Sequence, residues 1–345
     1  MMTSPSPIEA RCAGKLALAA LTLALGGCGG GPEGASLDPS PGPGSWRAAA
    51  PLPSARFEGY AAAAGGRITF LGGITDVCAD GSAACESDRV DVYDPAADAW
   101  TAGPALPPGG PRHHLAVAVV DDRIYLLGGF VGILDGSANF GPVAATFVLD
   151  AGGWRQLADQ PIARGAATAQ AIAGLVYVVG GGTREPDARS DLYVYDPVAD
   201  AWRAGRAMPT AREHLASCVV GGKLLAVGGW DGDKQTLGAA ELYDPASDVW
   251  TTLPPLGKPR GGLGAAALGG VCYAVGGEQW VGPLPGTFAD TEGYDPAVGR
   301  WASFAPMPPR RHGLGLAALG AEIFAVAGGP VRGNSYDAAV EVFAP

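Results

Sequence analysis

Charge is scarce in this 345-residue chain, and positive charge is scarcer still. Only 17% of residues are charged, 23 Lys and Arg stand against 34 Asp and Glu, and the formal net charge is −11. Nucleic acid and anionic membrane surfaces both call for a positive face, so neither is expected as the main partner. Long apolar runs are missing too. The N-terminal run Leu16–Leu25 has ten residues, about half of what a permanent bilayer-spanning helix needs. Histidine is limited to four residues and cysteine to six, whereas glycine (55) and proline (30) are abundant. High glycine and proline can signal disorder. Here 48% of residues are hydrophobic and recur in short β-like runs, which predicts a turn-rich folded β protein.

The first 45 residues read as targeting and tether. Arg11 and Lys15 form a short basic region, the apolar run follows, and Leu25-Gly26-Gly27-Cys28 comes next. This resembles a bacterial lipoprotein signal (residues 1–27), which implies a lipidated Cys28 at the start of the mature chain. An ordinary secretory signal is the alternative. Gly29 stands where the familiar inner-membrane retention mark would place Asp. The resemblance therefore implies export and lipid anchoring in a bacterial envelope, at the outer membrane or cell surface, with no membrane contact beyond the lipid. Residues 28–45, rich in Gly and Pro, are expected to form a flexible tether. Cys78 and Cys85 bracket the short polar loop "CADGSAAC", and export would favour a disulfide between them. Cys218 and Cys272 sit inside apolar strand patterns and read as buried small hydrophobes.

Internal repetition dominates residues 46–345. Arg56, Arg112, Arg164, Arg212, Arg260 and Arg311 each precede, by sixteen residues, Gly72, Gly128, Gly180, Gly228, Gly276 and Ala327. Each of those ends a strand in "LGG", "VGG" or "AGG". Tyr93, Leu149, Tyr195, Tyr243, Tyr294 and Phe343 come next, mostly within "YDP", followed by Trp100, Trp154, Trp202, Trp250 and Trp301. Each copy predicts four strands, a to d. Strand a follows the arginine, strand b ends on Gly-Gly, strand c carries the aromatic and strand d the tryptophan. Strand a is built of small residues while c and d hold Tyr and Trp, as a radial array requires where blades converge on an axis.

The Gly-Gly, "YDP" tyrosine and tryptophan resemble the kelch-repeat family of β-propellers. The resemblance implies an all-β, six-bladed propeller of four-stranded antiparallel blades over residues 46–345. The sixth copy stops after strand c, and "WRAAAPLPSAR" supplies a lone strand d before the first arginine. The Trp46 strand is therefore expected to complete blade six and close the ring, leaving no open edge.

Strand direction alternates, so the d–a and b–c connections share one face. The six arginines sit at the d–a junctions, and all long b–c loops lie on the same side, which marks it as the binding face. All four histidines follow those arginines: His113, His114, His214 and His312. The expected ligand-binding set is thus Arg56, Arg112, His113, His114, Arg164, Arg212, His214, Arg260, Arg311 and His312, with a structural role for the arginines as the alternative. The mouth is expected to be positive, and histidine protonation near pH 6.5 to strengthen anion binding. No metal site or cofactor is expected, because His113 and His312 stand one residue after their arginine whereas His114 and His214 stand two after, and neighbouring strand positions face opposite ways.

Two function classes follow. One is an anchored monomeric binding module for an anionic carbohydrate, another anionic small molecule, a peptide or a protein. The other is an exported sugar-modifying enzyme. Six-bladed kelch proteins that epimerise sialic acid are the enzymatic resemblance, which would give Glu213, His214 or Glu58 a proton-shuttling role.

Overall fold

The computed structural model describes residues 43–78, 84–132, 141–183, 187–281 and 285–345. Cys28 and the signal segment lie outside them, as does most of the tether. Every described regular element is a β-strand, and no helix among the described residues is long and apolar enough to cross a membrane.

Six four-stranded antiparallel sheets follow one another around an axis. Blade one is Tyr60–Ala64, Arg67–Leu71, Val90–Asp94 and Ala99–Ala102; blade two is Ala116–Val120, Arg123–Leu127, Thr146–Asp150 and Gly153–Leu157. Blade three is Thr168–Ile172, Leu175–Val179, Leu192–Asp196 and Ala201–Gly205; blade four is Ala216–Val220, Lys223–Val227, Ala240–Asp244 and Val249–Leu253. Blade five is Gly264–Leu268, Val271–Val275, Thr291–Asp295 and Arg300–Ser303. Blade six takes Gly315–Leu319, Glu322–Val326 and Val340–Ala344 from the C-terminal end and its outer strand, Ser45–Ala49, from the N-terminal end. The closing register runs from Ser45 opposite Ala344 to Ala49 opposite Val340.

The core lies in the seams between blades. Ala116, Leu127 and Val148 of blade two pack with Ala169, Val176 and Val178 of blade three, and the other seams repeat the arrangement. Burying about 25 cal/mol per Å² of apolar surface at every seam holds the blades to one another, since each sheet alone has no interior.

Polar staples repeat across those seams. The Trp46 indole donates to the Ala305 carbonyl at 2.8 Å, and Trp100, Trp202, Trp250 and Trp301 donate to the Ala50, Ala158, Arg206 and Pro254 carbonyls at the same distance. In the "YDPxxD" turns one aspartate serves two partners. Asp98, Asp200 and Asp248 accept from the hydroxyls of Tyr93, Tyr195 and Tyr243 at 2.5–2.7 Å. Each also accepts a backbone N–H of the preceding blade at 2.8 Å. Blade five has Gly299 at this position and so lacks the aspartate.

The Gly-Gly pair is a joint between blades. The second residue donates its N–H to the carbonyl of the next blade's arginine, from Gly73 to Arg112 at 3.0 Å round to Gly328 to Arg56 at 2.8 Å. The first has positive φ, and a Cβ on Gly128 would meet the Arg164 oxygen at 2.4 Å. Glycine is required there by both conformation and closeness; Ala327, with φ 59°, is the one departure.

Cys78 and Cys85 are joined by a disulfide. Cys218 and Cys272, expected to be separate small hydrophobes, are also joined, linking strand a of blade four to strand b of blade five. Their separation of 54 residues is about one repeat, so only blade packing brings them together.

Candidate functional site

The six repeated arginines set the site but do not line it. Each is 0% or 1% exposed, turned into its own blade instead of toward the mouth. The Arg164, Arg212 and Arg311 guanidiniums each donate at 3.0 Å to the carbonyl sixteen residues on, namely Gly180, Gly228 and Ala327. The second residue of strand c faces each head. Arg56 pairs with Asp91, Arg212 with Glu241 at 2.7 Å and Arg260 with Glu292 at 2.5 Å. Where that residue is aromatic, the guanidinium lies over its ring: Arg112 over Phe147 and Arg164 over Tyr193, both at 5.2 Å. Burial lowers the pKa of Arg56, Arg164 and Arg311 to about 10, which still leaves them cationic at neutral pH. The expectation of a positive arginine mouth is therefore corrected. Buried main-chain carbonyls at the end of strand b need donors, and the guanidinium fork supplies several.

Of the two residues after each arginine, the second reaches the axis. The first pairs with the residue after Gly-Gly, as in His113 with Phe130, Glu213 with Trp230 and His312 with Gly329. The second is Glu58, His114, Ala166, His214, Gly262 or Gly313, and all six have φ between 51° and 60°. Their peptides form a closed circle of hydrogen bonds, in which Glu58 donates to Gly313, His114 to Glu58, Ala166 to His114, His214 to Ala166, Gly262 to His214 and Gly313 to Gly262, at 2.7–2.9 Å. This annulus constricts the channel at one end.

Above the annulus is a cavity of about 480 Å³. Its floor holds Glu58, His113, His114, His214 and His312, and its walls include Phe57, Trp230, Lys234, Glu278, Trp280 and Arg332. The d–a junctions and b–c loops thus meet on one face. Trp230 stacks on His214 with ring centres 4.1 Å apart. Trp280 is 41% exposed; its indole donates to Glu278 Oε1 at 2.8 Å, and Arg332 lies 4.9 Å over its ring. Glu278 also accepts the Gly333 N–H at 3.2 Å and lies 3.4 Å from His312 Nδ1. Trp280, Lys234 and Arg332 carried no repeat signal, since each belongs to a loop unique to its blade.

Three of the four histidines, His113, His114 and His214, form one connected group. His113 Nε2 contacts the Gly132 carbonyl at 2.9 Å, its Nδ1 meets His114 Nδ1, and His114 Nε2 lies 2.8 Å from His214 Nε2. Glu58 Oε2 is 3.4 Å from His114 Nε2. Desolvation, and then the neighbouring imidazoles, hold the His114 pKa well below its ordinary 6.5. Protonation of this ring is thus opposed, and the expected gain of positive charge near pH 6.5 does not extend to it. Glu213, a catalytic candidate from sequence, is 0% exposed and lies behind the cavity wall, 3.7 Å from His214 Nδ1.

Comparison with known proteins bears on the whole ring. The family model described as the KLHDC2/KLHL20/DRC7 Kelch-repeats domain matches residues 145–329. Kelch-like protein terF of Aspergillus terreus is 33% identical over 140 residues, covering 40% of this chain and 30% of that protein. Kelch-like protein 35 of Mus musculus is 26% identical over 155 residues, covering 44% of this chain and 24% of that one. The matched stretches thus span less than a third of either relative. A solved structure titled "Structure of YjhT" superposes with a TM-score of 0.70 at 16% identity, over 84% of this chain and 95% of that chain. At that identity the likeness is one of fold.

Proposed function

The chain belongs to the kelch-repeat family, and we propose that it is a binding module which takes an anionic ligand, best matched by an acidic sugar, into the cavity above the annulus. The pairing of Trp280 with Arg332 at the rim carries this reading. A half-exposed indole offers an apolar face to sugar C–H groups, and a guanidinium beside it can hold a carboxylate through two hydrogen bonds. Lys234 adds a second cation to the wall. A volume of about 480 Å³ falls within the usual range for a small-molecule site. A peptide or protein would enter by one acidic residue. Calorimetric titration of the full chain with N-acetylneuraminate, glucuronate and glucose tests this. Binding of the acids, lost in Arg332→Ala and Trp280→Ala, is expected; equal affinity for glucose would sink it.

The alternative is catalysis on the same ligand, favoured by the contact between His114 and His214 beside Glu58. Such a group can move a proton between two faces of a sugar. Anomer exchange of an acidic sugar, followed by NMR, separates the two readings: faster exchange that disappears in His214→Ala establishes an enzyme.

Anchoring through a lipidated Cys28 completes the proposal. Lipid mass on Cys28 and membrane fractionation that is lost in Cys28→Ser are the expected results. A wild-type chain that fractionates as soluble would remove the anchor.

A further inference from the structure

Three side chains from blades one, two and four converge on a single point. We propose that Glu58, His114 and His214 form a binding site for one divalent transition-metal ion of the zinc class, at the centre of the annulus. Their potential ligand atoms all lie within 4.8 Å of one another, and all three residues are buried.

The spacing comes close to that of a coordination shell. Two ligands each about 2.1 Å from one ion are about 3.0 Å apart at right angles and about 3.4 Å apart at the tetrahedral angle. His114 Nε2 lies 3.4 Å from Glu58 Oε2, the tetrahedral spacing, while its 2.8 Å to His214 Nε2 is hydrogen-bond length and must open by a few tenths of an ångström for both nitrogens to hold one ion.

Proton placement agrees with a site that exchanges one proton for a metal ion. A carbonyl oxygen only accepts, so His113 Nε2 carries the proton it gives to Gly132. In neutral His113 the Nδ1 is then an acceptor, and His114 Nδ1 must donate to it. That leaves the His114 Nε2 lone pair facing the cluster. On the other side, Glu213 is a buried carboxylate whose oxygens lack a hydrogen-bond partner among the described residues. Its Oε1 lies 3.7 Å from His214 Nδ1, whereas the hydrogen bond of the ring joins His214 Nε2 to His114 Nε2 at 2.8 Å. With the His114 lone pair as acceptor, His214 Nε2 carries the proton of that bond. A divalent ion at this point would take the place of that proton, which the ring can carry instead on Nδ1 beside Glu213, leaving two imidazole nitrogens and the Glu58 carboxylate as ligands. A carboxylate behind a ligating imidazole is the usual outer support of such sites, orienting the ring and raising its basicity.

Two imidazoles and one carboxylate leave coordination positions open, as mixed nitrogen–oxygen sites for Zn²⁺ or Fe²⁺ do. All three residues line the cavity. The shift of His114 toward the neutral form agrees with this, since a ligating imidazole must be neutral at that nitrogen. The four histidines alone do not share one register, but Glu58 stands with His114 and His214 two residues after its arginine, so three ligands fall at one position.

The test uses the full chain with Cys12→Ser and Cys28→Ser, so that neither cysteine outside the two disulfides competes for metal. After chelator stripping, equilibrium dialysis against Zn²⁺ alone with metal analysis is expected to give one ion per chain. Co²⁺ in its place should show the visible bands of nitrogen–oxygen coordination. Glu58→Gln, which keeps the side-chain shape, should weaken Zn²⁺ at least about tenfold, and His114→Ala or His214→Ala about a hundredfold. Circular dichroism and melting temperature identify any variant that fails to fold; Glu58→Gln and the Co²⁺ spectrum then carry the test. Three results overturn the proposal: no retained Zn²⁺, equal Zn²⁺ affinity in a folded Glu58→Gln or His214→Ala, or preference for Mg²⁺ or Ca²⁺, which choose oxygen ligands. No sugar enters the experiment, so its failure leaves the proposed ligand of the cavity untouched.

Discussion

The arginines and the residues two places after them stand almost side by side in the chain, yet they live in different surroundings. Arg56, Arg112 and Arg212 point into their blades, against backbone carbonyls and the second residue of strand c. Glu58, His114 and His214 turn onto the axis and face one another. What separates the two groups is one left-handed residue per blade, repeated six times. A run of extended backbone would have sent positions one and two to opposite faces. The left-handed turn aims the second position at the axis, where six copies meet. Hence the arginine side chains brace their own blades, while Glu58, His114 and His214 line the cavity.

The contrast can be broken most severely by opening the ring. Deleting Ser45–Ala49 removes the outer strand of blade six and the Trp46 contact with Ala305. Loss of cooperative unfolding, or a fall in stability of at least about 3 kcal/mol, is expected in denaturant titration, given the value of one large buried aromatic. An unchanged unfolding midpoint would show that closure contributes little.

Next in size is Arg212→Ala. It strands Glu241 as a buried carboxylate and is expected to cost about 3–5 kcal/mol of stability. Affinity per folded molecule for a cavity ligand should stay constant. If affinity falls while the melting temperature holds, the arginine belongs with the site and the contrast is false.

Reduction of the Cys218–Cys272 bond sharpens the picture of blades as units. Cys218→Ser with Cys272→Ser should lower stability by about 2–4 kcal/mol. Reversible chemical denaturation checks this, and no loss would mean that packing alone secures the seam between blades four and five.

Smallest in stability, and opposite in kind, is Trp280→Ala. The indole is partly exposed and sits on a loop, so a change within about 0.5 kcal/mol is expected. Ligand affinity should nevertheless drop. Tyr243→Phe is the structural counterpart, since it removes one hydrogen bond to Asp248 for about 1 kcal/mol and should leave binding alone. Calorimetry on both variants separates surface chemistry from stapling.

Repeat-bearing features are legible in the sequence alone. The Gly-Gly joints, the "YDP" turns and the tryptophans recur, and recurrence at about fifty residues betrays their role. The destination of the arginines was harder to read. A basic residue at the start of an inner strand suggests a channel mouth, and only the carboxylate or ring at the second position of strand c reveals where the guanidinium goes. Those partners, Asp91, Phe147, Tyr193, Glu241 and Glu292, differ in chemistry from blade to blade. No common letter marks them.

By itself, then, the sequence determined the blade count, the order of strands and the closing partner of the last blade. Each of these follows from periodicity along the chain and from a strand missing at one end and present at the other. Tertiary structure alone decided that Cys218 meets Cys272, that the arginines are buried, and that Glu58, His114 and His214 share one point. Those facts depend on ring closure, which folds positions far apart in the chain onto one axis or one seam, and on the sign of φ at a single residue in each blade. Neither the curvature of the ring nor that torsion is written in any local pattern of residue types.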